Sequence, residues 1–202
     1  DPISVDPTRL PPRQHARRSI MRWGIDHPPI VPVLPTVDRD SWQLTVDGLV
    51  EHPMTFSWED FVALPLVESA SDFHCVETWS IFDQQWEGLP FNKLVDMVHP
   101  YPEALYVFFE SADGYTTSLT VEELSADENL LAIKVNGEML DQGYGGPLRL
   151  VVPQKYAYKS AMYVTHITFM ATKELGYWEK RGYSDTADVW TDDRFSRRRG
   201  GY

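Results

Sequence analysis

From Trp42 onward the chain is a series of short segments in which apolar and polar residues alternate, and this pattern limits the fold more than any other feature. Alternation with a period of two residues is typical of strands that are buried on one face. Turn residues or prolines bound the segments, and no long helical pattern separates them. We predict strands or hairpin arms at "WQLTVDGLV", "ALYVFFES", "YTTSLTV", "LLAIKVNGEML", "PLRLVVP" and "AMYVTHITFM".

Two short helices are predicted between these strands. "SWEDFVALP" begins with Ser57, a good N-cap followed by acid in the first turn, and stops at Pro65. "PFNKLVDMV" ends before Pro100, because the residue before a proline avoids the helical conformation. Since strands do not alternate with long helices, a doubly wound parallel sheet is not expected. We predict a β-rich, mixed α+β fold whose site lies on loops at strand ends.

The chain is expected to divide into an arm, one domain and a tail. Residues 1–40 carry many prolines and few periodic apolar positions, so we expect an extended arm that packs on the domain. The domain is expected to span residues 41–190. Residues 191–202 end in the basic sequence "RFSRRRGGY" and are expected to form an exposed C-terminal tail.

Composition excludes several classes of protein. A length of 202 residues suits a single domain with a sizeable core. The net charge of −12 argues against a general nucleic-acid binder, which needs a basic surface for phosphate. No apolar run approaches the roughly 20 residues that cross a bilayer, so no transmembrane segment is predicted. The single cysteine excludes a disulfide framework and CxxC-type metal sites.

The sequence offers no clear export signal. Arg17 and Arg18 form a twin arginine, but no apolar segment follows them. We therefore predict a cytoplasmic location. A periplasmic or exported location is the alternative if a signal has been removed before Asp1.

Cys75, in "DFHCVETWS", is open to two interpretations. A free cysteine is most often a small buried hydrophobe. The flanking His74, Glu77 and Thr78 are polar, however, which suits a thiolate that is a metal ligand or a nucleophile. A cysteine–histidine hydrolase would need a second histidine as its base, because neighbours on a strand point to opposite faces. His99 and His166 are the candidates, and nothing in the sequence singles one out.

The segment from Gly143 to Val164, "GYGGPLRLVVPQKYAYKSAMYV", is the second candidate site. No acidic residue occurs between Gln142 and Thr172, whereas Arg149, Lys155 and Lys159 all do. Such a local excess of positive charge can hold an anion, most plausibly phosphate. The alternative is a glycine-rich turn that leads into a buried strand, with solvated lysines at its rim.

Together, and in this order, these segments resemble the molybdopterin-binding domain of the sulfite oxidase family. "FHCVETWS" is similar to the molybdenum-cysteine motif, in a form closest to bacterial methionine sulfoxide reductases. "GGPLRLVVPQKYAYKS" resembles the segment that binds the pterin phosphate, and "WEKRGYSDTADVW" resembles the end of short, single-domain members. The resemblance covers roughly residues 18–190 and implies that family's fold.

The resemblance implies a role for each matching residue. Cys75 would be the catalytic residue and the protein ligand to molybdenum or tungsten, beside the dithiolene sulfurs of one molybdopterin. The remaining residues would bind the cofactor; they are Arg18, Met21, Arg22, His74, Ser111, Tyr144, Arg149, Lys159, Ser160, Ala161 and Met162. Met162 replaces a lysine and Tyr144 an Asn or His of many relatives.

The implied function is oxygen-atom transfer, such as the reduction of a small S-oxide or N-oxide. "CVETWS" stands where sulfite oxidases carry an arginine-rich stretch, so sulfite is not the expected substrate. Because no haem motif or cysteine cluster is present, electrons would pass through a separate partner protein. The alternative is a non-catalytic molybdopterin carrier or sensor with the same fold.

Overall fold

The computed structural model describes residues 3–196, and within them the strands form two sheets. The strands are β1 (His15–Ala16), β2 (Gln43–Gly48), β3 (Met54–Ser57), β4 (Val67–His74), β5 (Trp79–Pro90), β6 (Tyr106–Ser111), β7 (Thr116–Thr120), β8 (Leu130–Val135), β9 (Glu138–Met139), β10 (Arg149–Val151) and β11 (Val164–Met170). The α-helices are α1 (Trp58–Val62), α2 (Phe91–Val98) and α3 (Val121–Leu124). The predicted mixed fold, rich in strands with short helices, is confirmed.

Both sheets mix parallel and antiparallel pairs. In the first, the order is β1-β5-β8-β10, with β4 beside β5 and β9 beside β8. In the second, the order is β3-β2-β11-β6-β7. Only β1 with β5 and β11 with β2 run parallel among the described strands. The 3-10 helices Gln142–Tyr144 and Ala157–Lys159 flank β10.

Local sequence explains the helices well. Ser57 and Asp60 form a reciprocal capping box at α1, as the N-cap pattern predicts. In α2 the residues Phe91, Leu94 and Val98 are buried, which gives the helix one apolar face toward the main core. The segment "YTTSLTV" differs from its prediction, since β7 ends at Thr120, which caps α3 together with Glu123.

The strand pair before and after Cys75 escaped prediction. β4 reads "VESASDFH", which has too few apolar residues to show alternation. It nevertheless pairs antiparallel with β5, and its register shifts between Ser71 and Phe73. Bulges of this kind re-aim a strand near functional sites. Here the shift lies immediately before the loop that presents Cys75.

The N-terminal arm packs on the domain through specific contacts. Arg9 pairs with Asp72 at 2.6 Å, and β1 adds to the edge of β5. Further on, the N–H of Trp23 donates to Gly143 at 3.0 Å. The arm is thereby held along one side of the Cys75 loop.

Up to residue 196, the C-terminal segment contacts the domain through Arg194. Arg194 is buried, and its guanidinium donates to the main-chain oxygens of Val76 and Pro12. Arg194 also pairs with Asp192, so this basic residue holds the C-terminal segment against the domain and is not free in solvent. Residues 197–202 of the predicted tail lie outside the described residues.

Candidate functional site

Cys75 lies in a tight loop between β4 and β5. Its N–H donates to the oxygen of Trp79 at 2.9 Å, and its own carbonyl accepts from Thr78 N at 3.1 Å and from Gln14 Nε2 at 3.0 Å. Thr78 closes the loop with a positive φ of 77°. These bonds fix the main chain of Cys75, so the direction of its side chain is set by the fold.

Cys75 lines a cavity that opens to solvent. The arm contributes one wall and the segment from Ala157 to Tyr163 contributes another. Burial raises the pKa of the Cys75 thiol to about 12. The thiol therefore keeps its proton at neutral pH unless a metal displaces it, because a thiolate is poorly stabilised in such surroundings.

Arg149 enters the same cavity from β10 and is almost completely buried. Its guanidinium donates to Tyr144 O at 2.9 Å and to Ser160 O at 3.1 Å, while its buried Nε has no partner. It lies 5.1 Å above the Phe73 ring. Among residues 3–196 no carboxylate pairs with it, and burial lowers its pKa to about 10.

An unpaired buried charge is costly, so Arg149 is the strongest sign that this cavity binds an anion. One further donor of the cavity wall supports this interpretation. Trp79 Nε1 is buried and has no hydrogen-bond partner. Ser111 Oγ, at the end of β6, also lacks a partner, but Ser111 does not line the cavity, so its predicted contact with a cofactor stays a prediction.

The structure brings five of the predicted site residues to this cavity: Met21, Cys75, Arg149, Ser160 and Met162. Arg18 and Tyr144 line a second cavity, which shares Ile20 with the first. Arg22 is engaged by Asp26 at 3.3 Å, and Ala161 is buried in the core. The contacts of Arg18, Tyr144, Arg22 and Ala161 with a cofactor therefore stay predictions.

The two lysines of the acid-free segment pair with carboxylates, and the predicted contact of Lys159 with the cofactor stays a prediction. Lys159 is fully buried, and its Nζ lies 2.6 Å from Glu179 and 3.4 Å from Asp185. Lys155 pairs with Glu123 at 2.7 Å. The acids come from distant parts of the chain, so their absence from the local sequence did not mean their absence in space. Arg149 is the remaining cation.

His74 lies away from the cavity. Its Nδ1 is 2.7 Å from the hydroxyl of Ser80, and its ring contacts those of Phe82 and Trp190 edge-on. Burial lowers the pKa of His74 to about 4, so the imidazole is neutral. This environment is that of a structural histidine, and its predicted role in cofactor binding stays a prediction.

A cysteine–histidine hydrolase finds no support. Neither His99 nor His166 lines the cavity, and His166 is held between Asp47 and Glu110. His27 does line it, but its two ring nitrogens lie against the Pro28 oxygen and Glu77. The raised pKa of Cys75 is the opposite of what an activated nucleophile requires.

Sequence reasoning missed several residues of the cavity wall. His27 from the arm bonds Glu77 at 2.9 Å, two residues beyond Cys75. Asp113 lies at the turn after β6, where burial raises the pKa of its carboxyl. Glu77 could have been predicted to lie at the site, because it is close to Cys75 in the sequence. No sequence feature indicated His27, because only the path of the arm brings it to the cavity.

Comparisons with known proteins point to one family. The sequence model of one protein family, the oxidoreductase molybdopterin binding domain, matches residues 31–178. An uncharacterized oxidoreductase, YuiH, of Bacillus subtilis is 38% identical over 188 residues, which cover 93% of this chain and 92% of that protein.

Two more distant relatives carry names that state an activity. A putative protein-methionine-sulfoxide reductase subunit, YedZ1, of Azospira oryzae is 33% identical and matches over 73% of this chain and 56% of its own length. The protein-methionine-sulfoxide reductase catalytic subunit MsrP of Campylobacter jejuni is 31% identical, with 73% and 55% covered. This chain thus spans only about half of each.

A solved structure supports the fold. The sulfane dehydrogenase SoxCD from Paracoccus pantotrophus superposes with a TM-score of 0.66 at 22% identity, covering 78% of this chain and 46% of the other. At this identity the likeness concerns the fold alone.

Proposed function

The chain belongs to the oxidoreductase molybdopterin-binding domain family of sulfite oxidase-like enzymes, and from that premise we propose that it reduces a small neutral S-oxide or N-oxide at a molybdenum centre held by Cys75. Family membership makes it a molybdopterin-dependent oxidoreductase. The substrate class, the direction of the reaction and the residue roles are the proposal.

The residues present fit the cofactor. Cys75 offers a soft sulfur ligand, and metal binding would lower the pKa of its thiol, which burial alone raises. Arg149 offers a buried guanidinium with no counter-ion, suited to an anionic group of the pterin. This arginine without a counter-ion, on the same cavity as Cys75, is the observation that carries the proposal.

The charge of the cavity wall favours a neutral substrate. Among the described residues, Arg149 is the only lysine or arginine that lines it, whereas Glu77 and Asp113 are both acidic. Apolar and aromatic side chains, such as Trp23 and Ile30, make up most of the rest. A dianion such as sulfite would meet two acidic side chains and a single guanidinium, which would already serve the cofactor, and this is poor electrostatic complementarity.

When bound, the cofactor supplies the oxygen-atom and electron transfer. The chain's own residues would hold it and shape the cavity. Reduction of an S-oxide to a sulfide consumes two electrons and two protons and releases water. The apolar wall of the arm would keep bulk water from the reacting face, and Glu77 would keep His27 of the arm in place.

Electrons would come from a separate partner protein, because the chain contains one cysteine and no haem-attachment motif. In support, the names of both methionine-sulfoxide reductase relatives describe subunits. None of the helices in residues 3–196 has the length and apolar character needed to cross a membrane. The cytoplasmic location stays a prediction, with an exported protein as its alternative.

The test is turnover of protein produced in a cofactor-competent host. With a reduced viologen as electron donor, we expect consumption of methionine sulfoxide, dimethyl sulfoxide or trimethylamine N-oxide. Cys75→Ser should abolish it. Sulfite oxidation that is faster than every S-oxide or N-oxide reduction would overturn the proposed substrate class. Bound pterin without any turnover would favour a carrier or sensor instead.

A further inference from the structure

Two of the chain's six histidines are far apart in the sequence but close together in space, and they lie outside the cavity of Cys75. His52 lies in the turn between β2 and β3, and His99 follows the last residue of α2. Together with Glu51 they place three ligand atoms within 4.8 Å of one another. None of the three residues lines the cavity.

We propose that Glu51, His52 and His99 form a surface binding site for a divalent transition metal of the zinc class. Two imidazole nitrogens and one carboxylate are a ligand set that Zn²⁺ prefers, with a fourth position open to water. The site goes beyond the proposed reaction, because no residue of the cavity takes part in it.

The distances suit such an ion. His99 Nδ1 and Glu51 Oε2 are 3.6 Å apart. Ligands at about 2.1 Å in a tetrahedral arrangement would be separated by about 3.4 Å. The ring centroids of His52 and His99 are 5.1 Å apart, with their planes tilted by 51°. Small rotations of exposed side chains therefore suffice to bring all three ligand atoms to one ion.

The main chain that carries these side chains is already fixed. Glu51 N donates to His99 O at 2.9 Å, and His52 N donates to Val98 O at 3.0 Å. Beneath the turn, Val50 and Val98 are buried in the main core. Such a scaffold lowers the entropy that metal binding must overcome, because only side-chain rotations remain to be ordered.

The backbone of His99 decides which substitution can test the site. It adopts a left-handed conformation with φ 50°, where glycine or asparagine would be less strained. From this C-cap position the ring of His99 reaches Glu51. An exposed ion pair between His99 and Glu51 alone is the competing explanation, and it requires no role for His52.

Zinc titration of the cofactor-loaded, tag-free protein distinguishes the two explanations. Isothermal titration calorimetry with Zn²⁺ should give one ion per chain with micromolar affinity, and zinc should raise the thermal midpoint. His52→Ala and His99→Asn should each weaken binding by more than about tenfold, since even outer-sphere partners of a metal are worth that much. Asparagine tolerates the left-handed conformation, so His99→Asn should keep the fold.

The matched control is His166→Gln, which removes another histidine held between two carboxylates. It should bind zinc as the unaltered protein does, and all three variants should keep unaltered turnover. The proposal is overturned if zinc does not bind below millimolar concentration. It is equally overturned if His52→Ala and His99→Asn bind zinc as tightly as the control. Neither result would bear on the reaction at Cys75.

Discussion

The guanidinium of Arg149 donates to the main-chain oxygen of Ser160 at 3.1 Å, and this bond links β10 to the segment that forms the far wall of the Cys75 cavity. Ser160 is held in turn, because its hydroxyl accepts from Val152 N at 2.9 Å. The guanidinium is thus oriented by main-chain oxygens and left without a carboxylate. A fixed cation without a carboxylate partner, on the same cavity as a cysteine thiol, suits an anionic metal cofactor.

Replacing Arg149 should deplete the cofactor. Hydrogen bonds to charged groups are worth about 1.5–3 kcal/mol, so Arg149→Met should weaken cofactor binding by about 10- to 150-fold. Pterin fluorescence per chain after oxidative release measures this. Arg181→Met, which removes an exposed arginine over the Tyr177 ring, is the control and should retain full pterin content. Equal pterin content in both variants would contradict the assignment.

Lys159 should act on stability first. Lys159→Met leaves Glu179 buried and unpaired, which should lower the free energy of unfolding by about 3–5 kcal/mol. Lys159→Met combined with Glu179→Gln should recover part of that loss, because no unpaired charge remains. Urea unfolding monitored by tryptophan fluorescence gives both values. A single variant as stable as the unaltered chain would show that the pair does not form.

The thiol of cofactor-free protein should be unreactive at neutral pH. Its pKa of about 12 exceeds the ordinary value of about 8.5. The rate of alkylation by iodoacetamide should therefore rise with pH, and the midpoint of that rise should lie far above that of a free thiol. The same pKa difference makes the free energy of unfolding depend on pH. The unfolded thiol ionises first, so this contribution is complete below about 8.5 and is lost as the pH rises toward 12. An alkylation midpoint near the ordinary pKa would refute this environment.

Gly145 should not tolerate a side chain. Its φ is 87°, and an added Cβ would lie 2.4 Å from Met162 Cγ. Gly145→Ala should therefore lower the free energy of unfolding by about 1–3 kcal/mol and displace Met162 from the cavity wall. Adding Met162→Ala should recover only part of the steric cost, because the Cβ of residue 162 would still lie 2.6 Å from the added Cβ and the backbone strain persists. Differential scanning calorimetry of the two variants tests this, and an undisturbed midpoint for Gly145→Ala would contradict it.

Local sequence explains most of the fold. The capping residues Ser57 and Asp60, the buried face of α2 and the alternation in β11 are visible without any structure. The β4–β5 pair is not, because Glu68, Ser69 and Ser71 interrupt its apolar pattern. Its pairing depends on cross-strand contacts, which a single sequence does not display.

The candidate site, too, could be predicted from the sequence only in part. The sequence motifs around Cys75 and Arg149 predict the cofactor, and the structure places both residues on one cavity. The partners of Lys155 and Lys159 could not be predicted, because Glu123 and Glu179 reach them only through tertiary contacts. His27 belongs to the same class, since its meeting with Glu77 depends on how the arm crosses the cavity.

The central claim is that the sulfur of Cys75 binds the metal. X-ray absorption at the molybdenum edge, recorded on protein from a cofactor-competent host, tests it directly. We predict that the Cys75→Ser variant shows one sulfur neighbour fewer at the metal than the unaltered protein. An identical sulfur count in both proteins, or the absence of molybdenum and tungsten from the unaltered protein, would contradict the assignment.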